Sequence, residues 1–161
     1  MKFIKEKLME ILKSKNIYLR ALEPEDLEYL FSAENNEEVW EISNTSQPFS
    51  RHSLSKYIEN SHLDVYKINQ LRFIISDNNN VSLGMIDLFD VDFKNLKAGV
   101  GILINKENRD RGYAKEALQI LINYCFTYLN LHQLYCNIIE DNNPSIRLFE
   151  SLGFIQIGLK K

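Results

Sequence analysis

The most constraining feature of the sequence is a change of hydrophobic period near Gly112. The run from Lys97 to Ile104 is short and apolar, as in a buried strand. After Gly112 the apolar residues recur every three or four positions, at Ala114, Ala117, Leu118, Leu121, Ile122, Cys125 and Phe126. That period predicts a helix that starts near residue 112 and packs one face on a sheet.

The rest of the chain alternates strand and helix patterns. Strands are predicted at 17–20, 71–75, 82–89, 131–139 and 154–159; helices are predicted at 24–34, 51–60 and from Asn143-Pro144 to a stop at Gly153. Asp77 to Asn80 favours a hairpin turn, and 35–50 a loop or broken helix around Val39 and Trp40. We therefore expect one α/β (α+β) domain over 16–161, with a mostly antiparallel sheet that turns parallel near its end. Residues 1–15 favour an amphipathic N-terminal helix.

Composition narrows the classes of function. With 161 residues and 45% hydrophobic content the chain suits one compact domain, and 19 basic against 22 acidic side chains disfavour nucleic acid as the partner. Two cysteines in apolar runs and three scattered histidines give no metal-ligand spacing. No apolar stretch approaches the roughly 20 residues of a membrane span, and the start lacks a signal-peptide core. We expect a cytoplasmic protein, without metal or membrane partner, that acts on a cationic small molecule or a peptide amine.

The turn Arg109-Asp110-Arg111-Gly112-Tyr113-Ala114 suits an anion. A helix N-terminus offers free backbone N–H groups and a positive dipole end, and glycine lets the backbone approach a phosphate closely. The alternative is an ordinary strand-to-helix connection whose arginines are only solvated. Local residue types leave both interpretations open.

Two motifs in order resemble one family. Arg109-x-x-Gly112-x-Ala114 resembles the first signature of the GNAT (GCN5-related) N-acetyltransferases, and the stretch from Asn142 to Phe154 resembles the second. The resemblance covers about residues 16–159 and is strongest to bacterial spermidine and diamine acetyltransferases and to ribosomal-protein N-terminal acetyltransferases. It implies a GNAT-like mixed sheet flanked by helices, with acetyl-CoA as co-substrate. The hairpin that normally follows the second signature is expected to be cut short here, with residues 1–15 or a neighbouring subunit covering the exposed edge.

The resemblance also implies the cofactor residues. In that family, the fourth strand binds the pantetheine arm of acetyl-CoA through backbone groups, and the glycine turn holds the pyrophosphate. The second signature lines the far side of the thioester arm. By position these are Ile102, Leu103, Ile104, Arg109, Asp110, Arg111, Gly112, Tyr113, Ala114, Lys115, Asn142, Ser145 and Phe149. Phe149 stands where many members carry the tyrosine that protonates the departing thiolate, so water, Tyr135 or another hydroxyl would have to replace it.

The acceptor side is expected around strand acids. An alkylammonium with a pKa near 10.4 must lose a proton before it attacks a thioester. Asp87 is the predicted catalytic residue and also a substrate ligand, with Asp90, Glu34 and Trp40 as further substrate ligands. The alternative interpretations are a solvent-facing strand acid for Asp87 and a packing residue for Trp40.

The predicted function is acetyl transfer to a primary amine of a polyamine or diamine. N-terminal acetylation of a ribosomal or other protein is a near-equal alternative. A non-catalytic acyl-CoA-binding module is a third, motivated by Phe149 and the early end of the sequence. A homo-oligomer is expected.

Overall fold

A computed structural model describes residues 10–43 and 46–159. The first half of the chain contains β1 (Ile17–Arg20), a 3-10 turn (Pro24–Asp26), α1 (Leu27–Glu34), α2 (Glu37–Ser43), α3 (Arg51–Asn60) and α4 (Val65–Ile68). The second half contains β2 (Leu71–Asp77), β3 (Ser82–Asp92), β4 (Lys97–Ile104), a 3-10 turn (Lys106–Asn108), α5 (Tyr113–Thr127), β5 (Gln133–Tyr135) and α6 (Asn143–Glu150). The helix predicted at 1–15 lies largely outside the described residues; of it, positions 10 and 11 are helical.

The five strands form one sheet in the order β1-β2-β3-β4-β5. The first three pairings are antiparallel and the last is parallel, which confirms the predicted sheet. β4 pairs with β5 only where Lys97 to Gly99 lie opposite Gln133 to Tyr135. The rest of β4, from Val100 to Ile104, continues away from β5. The sheet is therefore open at this end.

Helices cover the two faces of the sheet unequally. On one face α5 packs its buried stripe, which includes Leu118 and Leu121, against the apolar side chains of all the long strands. On the other face α1 and α3 cover only the middle of β2 and β3, where Ile74 and Met85 lie opposite each other. The second face is thus left uncovered toward β4 and β5.

Two predicted strands differ from the structure. The strand predicted at 131–139 is confirmed only at Gln133–Tyr135, because β4 diverges beyond Gly99 and offers no further backbone partner. The strand predicted at 154–159 is wrong: these residues form no ladder, and Ile155 and Ile157 are 83% and 92% exposed. An alternating apolar pattern produces a strand only where a neighbouring strand supplies hydrogen bonds.

The residue types in the turns correctly predict where the backbone takes a positive φ. Asn80 takes φ +64° in the β2–β3 turn, and Gly153 takes φ +89° after α6, as their residue types predict. The cap of α6 is Asn142 rather than Asn143, since its side chain accepts from the Ser145 N–H at 3.3 Å. The predicted break within 35–50 is a short helix, α2.

Candidate functional site

The turn before α5 has the geometry of an anion site. Gly112 caps the helix with φ +83°, and Asp110 takes φ +60° two residues earlier. The N–H groups of Tyr113, Ala114 and Lys115 belong to the first helical turn and have no partner within the helix. A Cβ on Gly112 would meet no atom within 4 Å, so the space above this backbone is open. These donors and the helix dipole favour a phosphate here.

The neighbouring loop is tied to both the sheet and the opposite helices. Arg109 donates from Nε to the carbonyl oxygen of Ile104 at 3.2 Å, at the end of β4. Tyr29 of α1 donates its hydroxyl to the Asn105 side chain at 2.7 Å, and Lys106 pairs with Glu38 of α2 at 2.9 Å. Arg109, Arg111 and Lys115 are exposed around this turn. These contacts fix the loop to β4, α1 and α2, while its cationic side chains are exposed to solvent.

The opening between β4 and β5 lies next to this turn. Ile102 and Leu103 are half-buried there, whereas Ile104 is buried. Because β5 ends at Tyr135, the β4 backbone beyond Gly99 has no strand on that side. Such a free strand edge binds an extended chain through backbone hydrogen bonds. Asn142 and Ser145, at the start of α6, are both half-buried.

A cluster of charges lies on the face covered by α1 and α3. Arg72 of β2 donates from Nε and Nη2 to both carboxylate oxygens of Asp87, at 2.6 and 2.8 Å. Its third nitrogen pairs with Glu34 at the end of α1. The side chains of Arg72, Glu34 and Asp87 are only 14%, 15% and 23% exposed. This arrangement keeps two carboxylates on one guanidinium, which leaves a net negative charge.

Electrostatics stabilise Arg72 as a permanent cation. Burial opposes its charge, but the attraction and hydrogen bonds of Asp87 raise the pKa of Arg72 above its ordinary value. The Tyr57 ring of α3 lies 5.3 Å from the guanidinium carbon. Burial also raises the pKa of Tyr57. The sequence pattern missed Arg72 and Tyr57, although a lone arginine in the apolar run from Leu71 to Ile75 was the available signal.

Farther along the same face, three strands contribute one row of residues. Phe89, Gly99 and Tyr135 lie opposite one another on β3, β4 and β5. Gly99 has no side chain, and the Phe89 ring occupies that space, since a Cβ there would lie 2.2 Å from the ring. The ring centroids of Phe89 and Tyr135 are 5.9 Å apart in an edge-to-face arrangement. Asp90 follows at a bulge in β3, is exposed, and takes φ +48°.

The remaining predicted site residues lie at different places. Trp40 is half-buried in α2, where its indole N–H donates to the Glu34 carbonyl at 2.6 Å, so it braces the end of α1. Phe149 is 4% exposed and packs edge-to-face on Phe154. It also lines a cavity of about 610 Å³ on the outer side of β5. The structure thus brings Glu34, Asp87 and Trp40 together and places Phe149 apart from them.

Within 10–43 and 46–159, His, Cys, Asp and Glu side chains form no group of three or more that would suit a metal ion. Among the helices of those same residues, none has the length and apolar character to cross a membrane.

A family model matches most of the chain. The model described as "Acetyltransferase (GNAT) domain" matches residues 16–155. The match spans β1 to α6, and therefore includes the glycine turn, the open end of the sheet and the charge cluster.

Similar proteins agree with this match. An uncharacterized N-acetyltransferase from prophage SPbeta of Bacillus subtilis is 31% identical over 89% of this chain and 78% of its own length. The spermidine N(1)-acetyltransferase of Escherichia coli K12 is 27% identical over 86% of this chain and 73% of its own length. A crystal structure of the Vibrio cholerae spermidine N-acetyltransferase, in complex with CoA and spermine, superposes with a TM-score of 0.81 at 26% identity and covers 88% of this chain and 82% of that one. The same Vibrio protein is also known in a dodecameric structure.

Proposed function

Because this chain belongs to the GNAT acetyltransferase family and is an acetyl-CoA-dependent N-acetyltransferase, we propose that its acceptor is a primary amine of a polyamine or diamine. The observation that carries this proposal is the excess of carboxylates on the sheet face that α1 and α3 partly cover. Glu34, Asp87 and Asp90 are accompanied there by one cation, Arg72, among the ion pairs of the described residues. A net negative, partly desolvated surface attracts a multiply charged amine more strongly than a neutral or anionic substrate.

The donor side follows from the open strand edge and the glycine turn. We propose that the turn from Arg109 to Lys115 holds the pyrophosphate through its N–H groups and exposed cations. The pantetheine arm then runs along Ile102, Leu103 and Ile104 toward the point where β4 and β5 join. Asn142, Ser145 and Phe149 are proposed to bound the arm from the α6 side. Acetyl-CoA would supply the thioester, and these residues would hold it at the part of this face that is left uncovered toward β4 and β5.

The acceptor side is proposed to use the charge cluster for binding. Arg72 holds the Asp87 and Glu34 carboxylates in fixed positions, so the negative potential that they create has a defined location. Trp40 is proposed to close this region through its bond to the Glu34 carbonyl. Asp87 stays the sequence-predicted catalytic residue, and its bidentate pair with Arg72 supports a binding and orienting part in the reaction.

Relatives support the same substrate class. The Escherichia coli and Vibrio cholerae relatives are both named as spermidine N-acetyltransferases, and the structure of the Vibrio protein contains CoA and spermine. Identities of 26–27% leave room for a different amine of the same charge class. We also propose a homo-oligomer, supported by the dodecameric Vibrio relative. Light scattering of the purified protein measures its mass directly, and a monomer at micromolar concentration would contradict this.

A peptide N-terminus is the second candidate acceptor. Phe149 favours it, because a buried phenyl ring at this position has no proton to give, and ribosomal-protein acetyltransferases often lack a tyrosine there. An α-amino group with a pKa near 8 also needs less help to lose its proton than an alkylammonium.

The test is a panel of acceptors at fixed acetyl-CoA, with CoA release and mass-spectrometric product detection. We expect acetylated spermidine or diamine, and little product from a short peptide of ribosomal type. Product from the peptide alone would replace the proposed acceptor. Binding of CoA without product from any amine would leave a non-catalytic acyl-CoA-binding module, and calorimetry without acetyl-CoA binding would contradict the assignment of the turn.

A further inference from the structure

Tyr135 lies at the point where the donor and acceptor sites meet. It is the last residue of β5 that pairs with β4, through Gly99, and the two strands part beyond it. Five residues of β4, from Val100 to Ile104, lead from this point toward the glycine turn, a span of about 16 Å along a strand, and a short loop with the 3-10 turn Lys106–Asn108 follows before Arg109. A pantetheine arm that starts at the turn therefore brings its thioester toward Tyr135. This inference rests on the proposed function.

The side chain of Tyr135 is directed to the acceptor face by its neighbours. Paired residues of adjacent strands share a face, and Gly99 shares its face with Phe89, Asp87 and Arg72 through successive pairings. The Phe89 ring fills the space above Gly99 and supports the Tyr135 ring by its edge. The glycine in the middle of a strand is thus explained by the aromatic contact that it permits.

Asp90 lies in a bulge of β3 and has a strained backbone conformation. The β3–β4 register shifts between Phe89 and Asp92, and Asp90 takes φ +48° within that bulge. Aspartate tolerates this conformation better than most residues, yet strain of this kind persists mainly where it orients a functional group. Burial raises the pKa of Tyr135, and the negative charge of Asp90, at the neighbouring bulge of β3, raises it further. The phenol therefore stays protonated beside this carboxylate-bearing bulge.

Asp90 differs from Asp87 in its partners. Both oxygens of Asp87 accept from a permanent guanidinium, so protonating Asp87 would break a charge-assisted bidentate pair. Asp90 enters none of the ion pairs found in the described ranges, and it is exposed to solvent. A proton that reaches Asp90 has a direct exit to water.

We propose that Tyr135 is a catalytic residue that accepts a proton from the acceptor ammonium while passing its own proton to Asp90. The neutral amine then attacks the thioester carbonyl, a C–N bond forms, and the C–S bond breaks with its electron pair on sulfur. The second N–H proton ends on the departing sulfur, so CoA leaves as a thiol. One proton is released in total, from Asp90 to solvent. Asp90 acts through Tyr135 and is a positioning residue and proton acceptor.

The experiment compares Tyr135→Phe, Asp90→Asn and the double variant with wild type, using an amine that the wild type acetylates. A second acceptor is the same amine with fluorine on the second carbon from the reacting nitrogen, which lowers the basicity of that nitrogen. We expect kcat with the basic amine to fall about a hundredfold in each single variant. The acetyl-CoA Kd and the acceptor KM should stay within about twofold.

Three readouts distinguish proton transfer from packing. The loss should be smaller with the fluorinated amine, since its lower pKa leaves a larger fraction of it neutral before any proton transfer. The double variant should lose no more than Tyr135→Phe alone, and Asp90→Glu should recover part of the activity. Tyr18→Phe, whose hydroxyl donates to Asn80 in the β2–β3 turn, and Glu59→Gln, which is exposed on α3, should behave as wild type.

The proposal and the proposed function fail in different ways. Wild-type kcat in Tyr135→Phe, or an equal loss with both amines, would overturn the relay and leave the acetyltransferase in place. The exposed Asp90→Asn decides the question if Tyr135→Phe does not fold, because a wild-type rate there removes the proton acceptor. A wild type that acetylates no amine would overturn both.

Discussion

The proposed donor side and the proposed acceptor side of this site are built in opposite ways. The donor side is a run of consecutive residues, Arg109 to Lys115, which presents backbone N–H groups and exposed cations at a helix start. The acceptor side is assembled from α1, β2, β3 and α3, with side chains that are buried and already paired. The donor side is therefore sensitive to backbone conformation, and the acceptor side to the balance of charges. Substitutions on the two sides should fail differently.

Arg72→Ala should have the largest effect, and this effect should be on the stability of the fold. Removal of the guanidinium leaves Glu34 and Asp87 half-buried without a counter-charge, so we expect a loss of about 3–5 kcal/mol in the free energy of unfolding. Urea denaturation measures this loss. Arg51→Ala is the matched control, because Arg51 also pairs with a carboxylate, Glu28, and lies 3.8 Å over a ring, yet its side chain is 55% exposed. It should lose at most about 1 kcal/mol; equal losses would show that burial of the cluster has no energetic weight.

Gly112→Val should have the second-largest effect, and this effect should be on acetyl-CoA binding. Valine is strained at φ +83°, and its side chain would enter the open space above the helix start. We expect acetyl-CoA affinity to fall on the order of a hundredfold, about 2.7 kcal/mol, while the domain stays folded. Gly158→Val is the control, since a Cβ there also meets nothing within 4 Å but no positive φ is required. Unchanged affinity by calorimetry in Gly112→Val would move the phosphate away from this turn.

Asp87→Asn should mainly affect turnover. The change removes one of two charges held by Arg72, which weakens the field on the acceptor and lets the guanidinium turn toward Glu34. We expect kcat to fall about tenfold with acetyl-CoA affinity unchanged. Steady-state kinetics with both substrates varied separate the two constants. A rate equal to that of the exposed control Glu59→Gln would remove Asp87 from the reaction.

Asp26→Asn should have the smallest effect, with a defined dependence on pH. Asp26 accepts from Arg20 at 2.7 and 2.8 Å and from the Glu23 N–H. Burial opposes its charge, but these bonds lower the pKa of Asp26 below 3.8. A lowered pKa gives stability that is present above the unfolded value and lost as the pH falls through the folded value. Asp26→Asn should lose about 1 kcal/mol at pH 7, and the difference should shrink below pH 3.8.

Urea denaturation at pH 7 and pH 3 checks this last prediction. Glu25→Gln, at the exposed neighbouring position, should show no such dependence. A difference between Asp26→Asn and wild type that is equal at both pH values would mean that packing, and not charge, holds the turn before α1.

The sequence predicted features that depend on neighbours along the chain. The period change at Gly112 predicted α5 and its start, and residue types predicted the left-handed turns at Asn80 and Gly153. The two signatures around Gly112 and Asn142 predicted the family, which the comparisons confirm. The roles of the individual cofactor residues stay predictions. Helix starts and tight turns are readable in this way because their hydrogen bonds close within a few residues.

The sequence alone determined the acetyltransferase family and where the helix after the glycine turn begins. Only the tertiary structure decided that β5 ends at Tyr135, that 154–159 forms no strand, and that Arg72 holds Asp87 and Glu34 together. The reason is that ladders and ion pairs join residues far apart in the chain. Their formation depends on which strands and charges meet in space, and no local pattern of residues records that.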